Sequence, residues 1–266
     1  MNLEWLTKQH PEGNVKGSVL FLHGACMGAW VWEHNFFEYF FQEGYNVYAI
    51  SLRNHCGSEH EGSLRWTSVL RYEEDLNQAI EQIPGKLFLV GHSMGGFTIQ
   101  HHFKRISSRV AGAVLLCSAP NHGLWRLIPR LMINFPFHFL YSLFSMSWLP
   151  IMNDRERLKI AMFNSDFPDD QLDHVAPKLQ DESFLAFLQM VLLKLPRAKR
   201  APVPTMIIGG GHDFLIAEKD TRKMARSYGI TPLIIPDASH CLMLEKDWQN
   251  VAEKISEFFS LHKSQP

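Results

Sequence analysis

The sequence predicts an α/β fold in which a mostly parallel central sheet carries helices on both faces. Two features point to it. Short apolar runs alternate with longer segments of helical period, so the repeating unit is strand, turn, helix. Several of those runs are apolar at every position instead of alternating with polar residues, as strands buried on both faces are.

In chain order, strands are expected over Ser18 to Leu22, Asn46 to Leu52, Lys86 to Gly91, Gly112 to Ser118, Pro204 to Gly209 and Pro232 to Pro236. Helices are expected over Thr67 to Ile83, closed by Pro84-Gly85, over Met94 to Ile106, and from about Ala217. A last helix is expected over Asp247 to Leu261, where Val251, Ile255 and Phe258 or Phe259 fall at helical spacing. From about residue 120 to residue 200 no strand pattern occurs. That stretch is helical and aromatic-rich, with breaks at Pro136, Pro150, Pro168, Pro177 and Pro196. It reads as a helical cap or lid inserted above the sheet, so that residues 1–266 form one domain. Arg197, Lys199 and Arg200 read as a surface linker returning to the sheet.

The bulk composition narrows the partners. Of 266 residues 46% are hydrophobic and 20% charged, enough apolar surface for a sizeable core. A formal charge of -1 leaves no basic excess to neutralise a phosphate backbone, so nucleic acid is not expected as a partner. The stretch from Leu124 to Met152 is the most hydrophobic, but Arg126, Pro129, Arg130, Pro136 and His138 interrupt it, which argues against stable membrane insertion. The opening MNLEWLTKQHPEG has neither a basic n-region nor an apolar h-region, and a cytoplasmic protein is expected. Cys26, Cys56, Cys117 and Cys241 are scattered, without C-x-x-C pairs or nearby metal-ligand spacing. They read as reduced thiols, with no metal and no cofactor implied.

The strongest chemical signal is Gly91-His92-Ser93-Met94-Gly95-Gly96, which follows an expected strand and opens an expected helix, the setting that G-x-S-x-G requires. A serine on so sharp a turn needs neighbours without Cβ atoms, and it then presents Oγ at the carboxyl end of the sheet. A hydroxyl is a weak nucleophile at neutral pH and needs a base, which in turn needs an orienting acid. Two later strand ends provide them: Gly209-Gly210-Gly211-His212-Asp213, and Pro236-Asp237-Ala238-Ser239-His240. Asp237 and Asp220 compete with Asp213 for the acid. The former is only three residues from His240, and the latter falls inside a helix. After the first expected strand, His23-Gly24-Ala25-Cys26-Met27-Gly28-Ala29-Trp30 offers the Ala25 N–H, which would join the Met94 N–H as an oxyanion hole. His23 is read as a brace for this loop. His101, His102 and His55 are read as surface or core residues.

Together these residues resemble the α/β-hydrolase family over nearly the whole chain. The loop His23 to Trp30 is similar to that of plant methylesterases and hydroxynitrile lyases, and the elbow to that of monoglyceride lipases and lysophospholipases. The resemblance implies an α/β-hydrolase fold and a Ser93, Asp213, His240 triad. Lyase chemistry would need a Thr at Gly24 and a Lys at Cys241. The segment Ser51 to Ser58 resembles the family's Gly-His-Gly-x-Ser loop, with Asn54 and Cys56 where glycines are common.

The expected reaction is hydrolysis of a small-molecule carboxylic ester with a hydrophobic acyl or alcohol part, through an acyl-enzyme. A thioester or carbon-carbon bond hydrolase, or a ligand receptor of slow turnover, remain open. Cys26, Phe139, Phe144 and Trp148 are candidate substrate contacts. His92 joins them, although its place beside the nucleophile suits packing better.

Overall fold

A computed structural model describes residues 1–11, 15–197 and 200–262; Lys199 of the expected linker lies outside them. The strands are β1 (Glu4–Lys8), β2 (Ser18–Leu22), β3 (Asn46–Ser51), β4 (Leu87–His92), β5 (Val110–Leu116), β6 (Thr205–Gly210) and β7 (Leu233–Ile235). Each strand read from the sequence is present within one or two residues of its expected bounds. They form one seven-stranded sheet in the order β1-β3-β2-β4-β5-β6-β7. Only β1 runs antiparallel, with Glu4 opposite Ser51.

The apolar strands work as expected. Along β2, Leu20 and Leu22 face one core cluster while Val19 and Phe21 face the other, and β4 repeats this with Leu87 and Leu89 against Phe88 and Val90. Helices α2 (Val69–Gln82), α3 (Met94–His102) and α10 (Glu218–Tyr228) cover the first face. Helices α1 (Phe36–Gln42) and α11 (Trp248–Leu261) cover the second. Between β5 and β6 the chain is helical, as expected: α4 (Leu127–Asn134), α5 (Pro136–Ser145), α6 (Leu149–Met152), α7 (Arg155–Met162), α8 (Asp169–Val175) and α9 (Phe184–Leu188).

Strand β2 sits between β3 and β4, so the order of connection reverses there. In open α/β sheets such a reversal opens a crevice beyond the carboxyl ends of the strands. The loop after β2 and the turn after β4 both enter it, because Leu22 and Gly91 are register partners.

Candidate active site

Ser93 lies in the turn from β4 to α3 with φ 51° and ψ −113°, a region L residues rarely occupy. The sequence around it explains how this turn is possible. A Cβ on Gly95 would stand 2.6 Å from the carbonyl oxygens of Leu22 and His23, and one on Gly91 would meet the Gly95 backbone at 2.6 Å. Only glycines let α3 pack this closely on β2 and β4. The Ser93 N–H donates to Leu116 O at 3.0 Å, which ties the turn to β5. Met94 opens α3, and a first-turn N–H has no intrahelical acceptor.

The loops after β6 and β7 bring Asp213 and His240 together. His240 Nδ1 donates to Asp213 Oδ2 at 2.8 Å, and both side chains are buried. The other carboxylate oxygen accepts the N–H groups of Leu215 and Ile216, each at 2.8 Å, so the acid is held by the turn that follows it. With Nδ1 engaged by Asp213, Nε2 is the ring nitrogen left free to exchange a proton. The competing acids are elsewhere: Asp237 is exposed, and Asp220 pairs with Arg126 at 2.9 Å.

His23 donates from Nδ1 to Gly24 O and accepts the Leu52 N–H at Nε2, 2.7 and 3.0 Å. Burial and the neighbouring His55 push its pKa down to about 3, which keeps it a neutral brace. His92 is buried, with its ring 4.7 Å from that of His240 and its Nε2 donating to His240 O at 3.0 Å. It holds the His240 loop and is not in the cavity wall. Burial drives its pKa well below the usual value. Its Nδ1 faces position 24, where any Cβ would approach it to 2.5 Å. The Thr that lyase chemistry would place there does not fit.

Beside Ser93 is a cavity of about 80 Å³ lined by Ala25, Cys26, Leu124, Trp148, Phe187 and Met190, among other apolar residues, with Glu182 in its wall. Cys26 and Trp148, two of the candidate substrate contacts, line this cavity. Two other candidates are corrected. Phe139 is 1% exposed but stands behind Trp148, with ring centroids 6.4 Å apart, and does not reach the cavity. Phe144 is 87% exposed, on the outward side of α5. A larger groove of about 610 Å³ opens between Asn164, Phe167, His174 and Trp248, and Ser93 is not among its lining residues.

Three buried residues were not read as site residues from the sequence. Glu182 accepts the Cys26 N–H at 3.2 Å, and Glu245 Oε2 accepts the Ser239 N–H at 2.8 Å, next to His240. Cys117 Sγ donates to Ser239 O at 3.7 Å and lies within 4.8 Å of ligand atoms of Asp213 and His240. Burial pushes its thiol up, as it does that of Cys26. A weak signal for Glu182 existed: with Asp181 it forms an acidic pair just before the apolar run Phe184–Leu188.

The elbow and its loops on this sheet define an α/β hydrolase, and the chain belongs to the alpha/beta hydrolase family, whose model matches residues 19–254. The resemblance read from the elbow and the His-Gly loop is borne out. The chain is similar to Methylesterase 8 of Arabidopsis thaliana, 28% identical over 109 residues, covering 40% of this chain and 39% of that protein. It is also similar to Methylesterase 3 of the same plant, 30% identical over 108 residues, covering 40% of each. The matched stretches are thus well under half of these relatives' own length. Among solved structures, the monoacylglycerol lipase of Paleococcus ferrophilus has a TM-score of 0.73 at 19% identity, covering 98% of this chain and 100% of that one. The enol-lactonase from Burkholderia xenovorans LB400 has a TM-score of 0.74 at 16% identity, covering 97% and 96%. At such identities the likeness is one of fold.

Proposed function

We propose that the protein is a serine esterase that cleaves a small carboxylic ester with a hydrophobic acyl or alcohol part. The observation that carries this reading is the 2.8 Å bond from His240 to Asp213, whose second oxygen is already saturated by backbone, beside a serine on a strained elbow. Ser93 Oγ attacks the ester carbonyl while His240 Nε2 takes its proton, and Asp213 stabilises the imidazolium that forms. The tetrahedral oxyanion is met by the N–H groups of Ala25 and Met94. The Cys26 N–H is committed to Glu182, which leaves Ala25 as the donor from this loop. His240 then protonates the leaving alcohol, and water, deprotonated by the same imidazole, releases the acid from Ser93. The scheme uses side chains and backbone alone, without a cofactor.

The helices between β5 and β6 serve as the lid over the acyl pocket, and residues 1–266 act as one domain. Among the described residues no helix is long and apolar enough to cross a membrane. The four free cysteines suit a reducing compartment such as the cytoplasm. A fluorophosphonate probe tests the central claim: it labels the wild type, and Ser93→Ala abolishes both labelling and release of p-nitrophenol from short esters. Equal labelling of Ser93→Ala would refute it. Lengthening the acyl chain should raise kcat/KM by up to about fourfold per carbon, at roughly 0.8 kcal/mol per methylene, and stop early because the cavity is compact.

A further inference from the structure

The cavity beside Ser93 is apolar except for one carboxylate. Glu182 is 2% exposed, and taking an unpaired carboxylate out of water costs several kcal/mol, so its partners must explain why it is there. Its Oε1 accepts the Tyr72 hydroxyl at 2.8 Å and the Ser183 N–H at 2.7 Å. Its Oε2 accepts His55 Nε2–H at 3.0 Å and the Cys26 N–H at 3.2 Å. His55 also donates from Nδ1 to Arg53 O at 2.9 Å. Both ring nitrogens therefore act as donors, which only the imidazolium can do. Burial alone would raise the Glu182 carboxyl, but the His55 charge holds it below its usual range.

Cys26 follows Ala25 and has φ 65°, an unfavourable conformation for a residue with a side chain. The same short segment grips it from both sides: Glu182 takes its N–H, and its carbonyl accepts the Gln180 N–H at 3.0 Å. The first bond fixes the peptide plane between Ala25 and Cys26 and the second the plane between Cys26 and Met27; the Ala25 N–H lies one plane earlier, where His23 holds Gly24 O, so the loop is pinned on both sides of the Ala25 Cα. We propose that Glu182, charged and paired with His55, is a positioning residue that holds the loop after β2 so that the Ala25 N–H is aimed at the oxyanion. The inference rests on the esterase reading above and adds a residue from the helical segment to it. It also makes lid placement and oxyanion binding one mechanical unit, since residues 180–182 belong to the segment between β5 and β6.

The experiment compares Glu182→Gln and Tyr72→Phe with the wild type in p-nitrophenyl ester turnover, in affinity for a trifluoromethyl ketone that adds to Ser93, and in thermal unfolding. Losing one oxyanion donor costs on the order of 10²-fold or more in kcat. Glu182→Gln should lower kcat by about 10- to 100-fold with KM within about threefold, and weaken the ketone in proportion to kcat/KM. Tyr72→Phe removes only one of the bonds that aim the carboxylate, and should lower kcat a few-fold with the same KM pattern. It keeps the inference falsifiable should Glu182→Gln fail to fold. Wild-type kcat in both variants, or a rise in KM with kcat and ketone affinity untouched, would overturn it. A wild type that takes no phosphonate at Ser93 would sink the esterase reading and this role with it. A reactive wild type beside a fully active Glu182→Gln would sink this role alone.

Discussion

Helix α5 is far more apolar than α3, which carries Thr98, Gln100, His101 and His102, yet α3 hides all nine of its residues while α5 leaves Phe137 82% and Phe144 87% exposed. The difference lies in what each helix can approach. Gly95 and Gly96 remove the side chains that would hold α3 off β2, off Gly91 of β4 and off Ser118 just past β5, so it packs closely on the sheet. Helix α5 has no such gap and rests on its neighbours by one face, with only Phe139 and Ser142 buried. Hydrophobic content alone says little about burial in a short helix; helical phase and small residues say more.

Catalytic truncation should give the largest effect on the α3 side of this comparison. His240→Ala is expected to lower kcat on the order of 10³-fold or more with unchanged unfolding temperature, and Asp213→Asn to act far more strongly than Asp237→Asn, both read in ester hydrolysis. Next comes the buried face of α5. Phe139→Ala should cost about 3–5 kcal/mol in denaturant unfolding if that face is core, and a loss below 1 would make α5 as loose inside as outside. Gly95→Ala places a methyl group against main-chain atoms that cannot swing aside, and should cost about 1–3 kcal/mol or more and impair turnover as well.

A smaller effect depends on pH. Burial raises the Glu245 carboxyl from 4.5 to about 7. Its protonated form is favoured in the folded state, so the stability it contributes is full below about pH 4.5 and is lost as pH rises through 7. Glu245→Gln should flatten the fall in unfolding temperature across that window; an unchanged slope would assign it to other groups. Least of all, Phe144→Ser should change stability by no more than about 0.5 kcal/mol and leave short-ester cleavage intact, as surface substitutions do.

The strands were legible because burial on both faces leaves an uninterrupted apolar run, and Ser93, Asp213 and His240 because each sits just past a strand end with glycines or a turn beside it. Phe144 was misjudged for a reason of phase. At 100° per residue, positions 139 and 144 are about 140° apart around a helix, so a buried Phe139 sends Phe144 outward. Strand β1 and helix α1 were missed. The former is five residues of mixed polarity, and the latter seven residues whose aromatic run Phe36-Phe37-Glu38-Tyr39-Phe40-Phe41 shows no clear period. Glu182 and Glu245 were barely legible for another reason. Their partners, Tyr72, His55 and the Cys26 N–H for Glu182 and Asn164 and the Ser239 N–H for Glu245, are brought to them by the fold, and spacing in the sequence carries no trace of that.

The antiparallel strand β1 has a consequence for how the chain is made. Glu4 is synthesised 47 residues ahead of Ser51, to which it later hydrogen-bonds. At about 5–20 residues per second the strand waits roughly 2 to 9 seconds for its partner. Its charged ends, Glu4 and Lys8, suit that interval, because they keep an unpaired strand soluble and discourage pairing with another nascent chain. When β3 arrives, β1 pairs with it and becomes the edge of the finished sheet, where the same two charges guard its free side.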